Sequence, residues 1–369
     1  MAFFIMFPLL LFIGLGYVLW HIWHILPLLK WAKWLVVILL AACPLSMFFM
    51  FGGAFERWPL PAASVAYHVN TSSVIILLYL LITFLVLDIC RLLHIIPKSL
   101  LFNSWAGTLG VTLLMVVIFV AGNIKYHNKV RVPLELTTKK HLPHDYRIVM
   151  VSDLHLGYHN RRGELAKWVD LINAEKPDMV LIGGDVIDSS IRPLAEEKMA
   201  EEFHRIKAPI YACLGNHEYY SSEPRARQFY KQAGIHLLVD STVVIDSALC
   251  IIGCDDRTNP NRKELASLAA TVDPSLYTIV LVHQPHELEK TEQSKADFQF
   301  SGHTHRGQVW PISWITDAIY ECSWGEYQRG DTRFYVSSGL GLWGGKFRIG
   351  TQSEYVVARL KNSRLKMKN

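Results

Sequence analysis

The chain has 369 residues, 51% of them hydrophobic, and a formal net charge of +5. Its length exceeds one typical domain, and its positive mean hydropathy is unusual for a wholly soluble protein. The charge is modest and dispersed, without a basic stripe interleaved with aromatics, so nucleic acid is not an expected partner. The six cysteines (Cys43, Cys90, Cys213, Cys250, Cys254 and Cys322) form no CxxC pair, which favours buried free thiols over a disulfide framework or a zinc site.

The first 124 residues hold four apolar runs: Phe3–Ile25, Trp34–Phe51, Val74–Ile96 and Trp105–Ile124. Each is long enough to cross about 30 Å of hydrocarbon at about 1.5 Å per residue. Trp20, Trp23, Trp31, Trp34 and Trp105 lie near the run ends, as in an aromatic belt. The first run lacks a basic leader and a small-residue cleavage site, so a signal peptide explains it poorly. Residues 1–124 therefore read as a four-helix transmembrane region and the chain as a multi-pass integral membrane protein, with the plasma membrane as the expected location. The side of the membrane is not decided. Lys30, Lys33, Arg91 and Lys98 put the following domain outside, whereas Lys125, Lys129, Arg131, Lys139 and Lys140 put it in the cytoplasm. Asp88 and Arg91, three apart near a span end, read as a local ion pair, and His21 and His24 as interfacial polar residues.

Residues 125–369 change character. "KVRVPLEL" alternates like a strand, and "YRIVMVSD" is a buried strand ending in an acid. "RRGELAKWVDLINAEK" carries Leu165, Trp168, Val169 and Ile172 at helical spacing. Then follow "DMVLIGGD" (strand), "PLAEEKMAEEFHRI" (helix), "PIYACLGNHE" (strand) and "EPRARQFYKQAG" (helix). "HLLVDSTVVID", "LCIIGCDD", "YTIVLVHQP" and "DFQFSGHTH" complete the series. Strands separated by short helices imply an α/β domain.

Five of these strands end in Asp, Asn or His. They collect Asp153, His155, Asp185, Asn216, His217, His283, His303 and His305 at the carboxyl ends of strands, where open α/β sheets place ligands. Carboxylate and neutral imidazole suit manganese, iron, zinc or similar divalent ions without thiolate. So many candidate ligands are too many for one catalytic ion with an open position, and they suit two ions sharing a carboxylate. His303 and His305, two apart, would share one face if their strand continued, with Thr304 directed away.

The ordered elements D-x-H, G-D-x-x-D, G-N-H-E, H-x-P and G-H-T-H occur as "SDLHLG", "GGDVID", "GNHEYY", "HQP" and "GHTHRGQVWP", with "SSGLG" beyond them. Together they resemble the calcineurin-like metallophosphoesterase superfamily in its membrane-associated bacterial branch. Each element alone carries little; five in order at strand ends carry much more. The resemblance implies a four-layer α/β/β/α sandwich at 125–369 holding two divalent metal ions. It implies that Asp153, His155 and His305 bind one ion, that Asp185 bridges, and that Asn216, His283 and His303 bind the other. His217 would face the substrate phosphate, with Asn216 beside it as a neutral ligand, and Asp188 would orient His155 or His217 from behind. Such a metal pair activates a water for in-line attack on phosphorus.

Arg306 stands where this branch usually has glycine, and Arg348 resembles an arginine that the branch often carries; both are candidates for a substrate contact. His286 reads as a surface residue, and Asp255 and Asp256 as turn residues. The expected reaction is hydrolysis of a phosphodiester, phosphomonoester or pyrophosphate bond. Tethering to the bilayer favours a lipid-linked substrate. The rivals are a non-catalytic metal-binding scaffold, which should lack ligands, a nuclease, which should show a basic cleft, and a transporter, which should carry charges in its spans.

Overall fold

The computed structural model describes residues 2–47 and 53–363. The chain divides into two compact units, residues 1–123 with 344–346, and residues 124–343 with 347–369.

The first unit is helical: Ala2–Ile25, Lys30–Leu45, Leu60–Leu92 and Trp105–His127. Two of these, Leu60–Leu92 and Trp105–His127, are long and apolar enough to cross a membrane. Lys30–Leu45 has only 16 residues, and the expected end of that run, at Phe51, lies outside the described residues. The described apolar part of the first helix, Phe12–Ile25, is also shorter than a span. Four spans are thus more than these helices establish. The third helix begins 14 positions before the expected Val74, because Ser64, Asn70 and Thr71 are buried inside the unit, where packing overrides their polarity. It also stops short of Ile96, since His94 takes a left-handed φ of 57°. His21 is buried, stacks on Phe84 and places Nε2 3.0 Å from Asp88 Oδ2. Tyr17 donates to the same carboxylate at 2.7 Å, and Arg91 lies 3.7 Å away.

Among the described residues, the second unit is built on twelve strands. They are β1 (Lys129–Thr138), β2 (Tyr146–Val151), β3 (Met179–Gly183), β4 (Ile210–Cys213), β5 (His236–Leu237), β6 (Ser241–Ile245), β7 (Leu249–Gly253), β8 (Tyr277–Leu281), β9 (Phe298–Ser301), β10 (Gly325–Arg329), β11 (Thr332–Val336) and β12 (Ser353–Asn362). Two six-stranded sheets result, ordered β1-β12-β2-β3-β4-β5 and β10-β11-β9-β8-β7-β6. Strand alternation explains the layers. From β2, Ile148 and Met150 point into a core shared with Ile251, Ile279, Leu281 and Phe300 of the second sheet. Val149 and Val151 point the other way, onto Leu165, Trp168, Val169 and Ile172 of the helix Arg162–Ala174. On the far side, Cys250, Ile252 and Val280 pack against Leu268 of the helix Leu265–Ala269. Helices therefore cover both outer faces of the paired sheets. Because β2, β3, β7 and β8 are buried on both sides, they read as continuous apolar runs.

Two expectations fail locally. The single helix expected over "PLAEEKMAEEFHRI" is two short ones, Arg192–Glu196 and Ala200–Phe203. Lys198 between them is left-handed, and Glu197 is drawn away to accept the Arg162 N–H at 3.0 Å and pair with Arg161. The strand β12, which inserts between β1 and β2, has no counterpart among the expected elements.

Candidate metal centre

Both sheets run their central strands parallel toward one edge: β2, β3 and β4 in the first, β8 and β9 in the second. The chain leaves each strand and turns within two or three residues. Asp153 follows β2, Asp185 follows β3, Asn216 follows β4, His283 follows β8 and His303 follows β9. The two sheets face each other across one core, so the five turns meet.

The turns are unusually tight. Asp153, His155, Asp185, His303 and His305 all have positive φ, between 45° and 71°. Non-glycine residues seldom occupy this region, and strain of this kind collects where side-chain aim matters more than backbone comfort. The expectation that His303 and His305 share a face of a continuing strand is wrong. β9 stops at Ser301, and His305–Gly307 is a 3-10 turn. The two imidazoles converge because of the turn, not the pleat. Thr304 does point away, donating to Ser323 O at 2.6 Å.

Three sets of side chains bring ligand atoms within 4.8 Å of one another: Asp153, His155 and His305; His155, Asp185 and His217; Asp185, His283 and His303. Asn216 Oδ1 lies 2.9 Å from His303 Nδ1 and so joins the third set. All the residues expected as metal ligands come together.

The polar atoms in these sets fit cations. His283 donates Nδ1–H to Gly183 O at 2.7 Å, so Nε2 is the ring atom left to carry a proton or a metal ion. That atom lies 3.1 Å from Asp185 Oδ2. In the neutral ring its lone pair would repel that buried carboxylate, so positive charge, a proton or a metal ion, belongs between them. His155 Nε2 and His305 Nε2 stand 3.0 Å apart, within reach of one ion with nitrogen bonds of about 2.1 Å. Burial, with Asp185 adding to it, raises the Asp153 carboxyl. Burial alone would lower His283, but Asp185 outweighs it and raises His283 well above the ordinary imidazole range. The field of the two carboxylates invites positive charge.

Imidazoles farther from the carboxylates behave oppositely. Burial and the neighbouring His283 lower His303 to about 3, and burial and His155 lower His305. Both remain neutral and able to ligate. His217 differs again: burial would lower it, but Asp185 and Asp188 raise it to about 9. Its Nδ1 sits 3.3 Å from Asp188 Oδ1, which leaves the opposite edge of the ring to face outward as a donor. Asp188 also lies 3.6 Å from His155 Nδ1, so one carboxylate orients two rings.

Residues outside the expected set hold the turns. Glu218 is fully buried, and its carboxylate accepts the N–H groups of Gly215 at 2.7 Å, Ile187 at 2.9 Å and Asp185 at 3.2 Å. The spacing of Gly215 and Glu218 is that of a helix N-terminal box, a readable signal. Ser152 donates to Asp153 at 2.5 Å, and Asp153 also accepts the His303 N–H at 3.0 Å. Gly215 must lack a side chain, since a Cβ there would overlap the Asp185 carboxylate; Gly184 combines a φ of +83° with the His283 ring against it.

Arg348 is not a substrate contact. It is fully buried and donates to the carbonyls of His305 at 2.9 Å, Ser338 at 2.5 Å and Gly341 at 3.1 Å. Burial lowers its pKa to about 10. Arg306 lies 4.1 Å above the Trp324 ring, half-buried. His286 packs its ring at a tilt against Tyr320, outside the ligand sets. Asp256 caps a turn, accepting from Thr258 N at 2.8 Å.

The sequence pattern of calcineurin-like phosphoesterases matches residues 146–307. An uncharacterized metallophosphoesterase of Campylobacter jejuni is 33% identical over 230 residues, which cover 60% of this chain and 61% of that protein. A transmembrane protein with metallophosphoesterase domain from Danio rerio is 30% identical over 237 residues, covering 59% of this chain and 53% of that one. The match thus spans about three fifths or less of these relatives' lengths. Among solved structures, the NAD nucleotidase of Haemophilus influenzae aligns over 53% of this chain and 45% of its own, at 16% identity and a TM-score of 0.38. The chain carries a calcineurin-like metallophosphoesterase domain, and its convergent Asp and His side chains are that domain's candidate metal ligands.

Proposed function

We propose that the chain is a membrane-anchored phosphoester hydrolase using two divalent ions, and that its substrate is a lipid-linked phosphodiester, phosphomonoester or pyrophosphate. The observation that carries this reading is Asp185, a buried carboxylate belonging to two of the three ligand sets. Asp153, His155 and His305 would hold one ion, and Asn216, His283 and His303 the other, with Asp185 shared. Bound ions of the manganese, iron or zinc kind would supply an activated water and neutralise charge on the phosphorus oxygens.

The chain's own groups do the rest. His217, held by Asp188 and raised to about 9 by Asp185 and Asp188, would donate its other ring N–H to a phosphate oxygen or the leaving group. Asn216 adds a ligand without adding charge, which keeps the site open to anions. The two long apolar helices support the membrane anchor, as does the name of the Danio rerio relative. In the full proposal the helices Ala2–Ile25 and Lys30–Leu45, with residues beyond those described, also cross the bilayer, which we take to be the plasma membrane. Anchoring raises the effective concentration of a substrate confined to the same surface.

The test uses the full chain in detergent with manganese, first on bis(p-nitrophenyl) phosphate and then on a lipid pyrophosphate. Turnover is expected to vanish in Asp185→Asn and His217→Ala. Undiminished turnover in these variants overturns the mechanism, and metal uptake without any turnover favours a binding scaffold.

A further inference from the structure

The segment "WPISWITDAIY" (310–320) follows the His305 turn directly. Its helix, Ile312–Ile319, is built inside out. At about 100° per residue, Trp314, Ala318, Ile315, Ile319 and Ile312 fall on one arc of roughly 160°. In a water-soluble domain such an arc faces the core. Here it faces outward: Ile312, Trp314, Ile315 and Ile319 are 37%, 64%, 57% and 63% exposed. On the opposite side Ser313 is the buried residue of the helix, and Asp317, itself exposed, accepts the Ser323 hydroxyl. Trp310, 38% exposed, packs edge-on against Trp314 with ring centroids 5.3 Å apart.

This is a patch, not scatter. Beyond residue 127, eight large apolar side chains are exposed among the described residues, and five of them lie between Trp310 and Ile319. Concentrated apolar exposure marks an interaction surface. The patch is fastened to the metal centre at both ends. At one end Gly307, in the His305 turn, has no room for a side chain against the backbone of Ile312 and Ser313. At the other, Tyr320 puts its ring 4.7 Å from His286 and 6.4 Å from His303.

We infer that Trp310–Ile319 lies in the plane of the bilayer interface and holds the His303 and His305 turns at headgroup depth, where a phosphate-bearing lipid can enter without leaving the membrane. The inference rests on the membrane-anchored reading above. Two observations select the bilayer as occupant. The outward arc is aliphatic with one tryptophan, Trp314, beside Trp310, and carries no charged residue, as the apolar face of an in-plane interfacial helix requires. In addition, one residue, Asn128, joins the apolar helix Trp105–His127 to β1, so the tether keeps this domain at a membrane surface.

The experiment places an environment-sensitive NBD fluorophore at Ile315→Cys in the full chain, with Cys43 and Cys90, the two cysteines not buried, changed to serine. The protein is reconstituted in phosphatidylcholine–phosphatidylglycerol vesicles, with or without lipids carrying a nitroxide near the headgroup. A label at Glu264→Cys, a side chain 72% exposed elsewhere on the domain, is the reference. The Ile315 label should shift to shorter wavelength and lose emission to the nitroxide, while the Glu264 label does neither. Emission like that of the reference overturns the inference. So does a blue shift without quenching, which means the patch is covered by protein, such as a second copy. Because this readout needs no turnover, quenching in a protein that hydrolyses no phosphoester upholds the docking and sinks the hydrolase reading. In an active protein, Ile315→Glu should lower turnover of a vesicle-borne phosphate lipid severalfold more than turnover of bis(p-nitrophenyl) phosphate; equal losses overturn it.

Discussion

The two sheets meet at one edge but equip it differently. The first contributes both carboxylates of the ligand sets, Asp153 and Asp185, with His155 and Asn216; the second contributes only imidazoles, His283, His303 and His305. Their supports differ accordingly. The anionic turns are tied by groups that fix carboxylates and their backbone, Ser152 and Glu218. The imidazole turns are tied through carbonyls: Gly183 O takes the His283 proton, and Arg348 takes His305 O. Carboxylate charge is thus supplied by one sheet and imidazoles alone by the other, so the centre exists only when both are folded and facing.

Removing charge from the first edge should do the most damage. Asp153→Asn is expected to cost at least about 10²-fold in turnover of a model phosphodiester, the scale of losing one preorganised electrostatic group. Metal content by elemental analysis should fall with it. His303→Asn removes no charge and should cost less; equal losses would break the contrast between the edges. Next comes Glu218→Gln, which offers one acceptor oxygen where the carboxylate serves three N–H groups. It touches none of the expected ligands' side chains yet should cost about 10–100-fold in metal affinity, as outer-shell losses do. Titration calorimetry checks this, and an unchanged affinity would mean that the Asp185 turn holds itself.

On the imidazole side, Arg348→Lys replaces a planar fork with a point charge and leaves buried carbonyls without donors. A loss of roughly 1–3 kcal/mol in denaturant stability is expected, with weakened metal binding through His305. Far from both edges, the Arg131 hydrogen bond lowers the Glu175 carboxyl. A carboxylate depressed on folding stabilises fully above its unfolded pKa, and that stability is lost as pH falls through the lower folded value. Glu175→Gln should therefore flatten the acid side of the stability curve by less than about 1 kcal/mol, since Arg131 is 41% exposed and such pairs are screened. A larger change would place acid sensitivity outside the metal edge.

The metal edge was legible in the sequence because each expected ligand follows an apolar strand buried on both faces, and such strands announce themselves. Their convergence needed the family resemblance, since nothing in "GHTH" alone says that the strand stops at Ser301. Glu218 was written in "GNHE" but is spaced as an ordinary helix-start acid, so its hold on Asp185, 33 residues earlier, could not be read. Arg348 misled because only the family resemblance made it a substrate candidate; packing reveals four carbonyls around it. The third helix reaches well before its expected start at Val74, where Asn70 and Thr71 are buried among its neighbours.

The place of β12 has a consequence for biosynthesis. Residues 353–362 thread between β1 and β2, pairing Lys129 with Ser353 and Val149 with Val357. While the polypeptide emerges from the ribosome, Asp153 and Asp185 are made long before the ribbon that closes their sheet. Nascent chains must keep the flanks of β1 and β2 uncoupled through some two hundred residues of elongation, which makes closure a late, long-range step. A transcript stopping before codon 353 would yield every ligand and no finished scaffold to hold them.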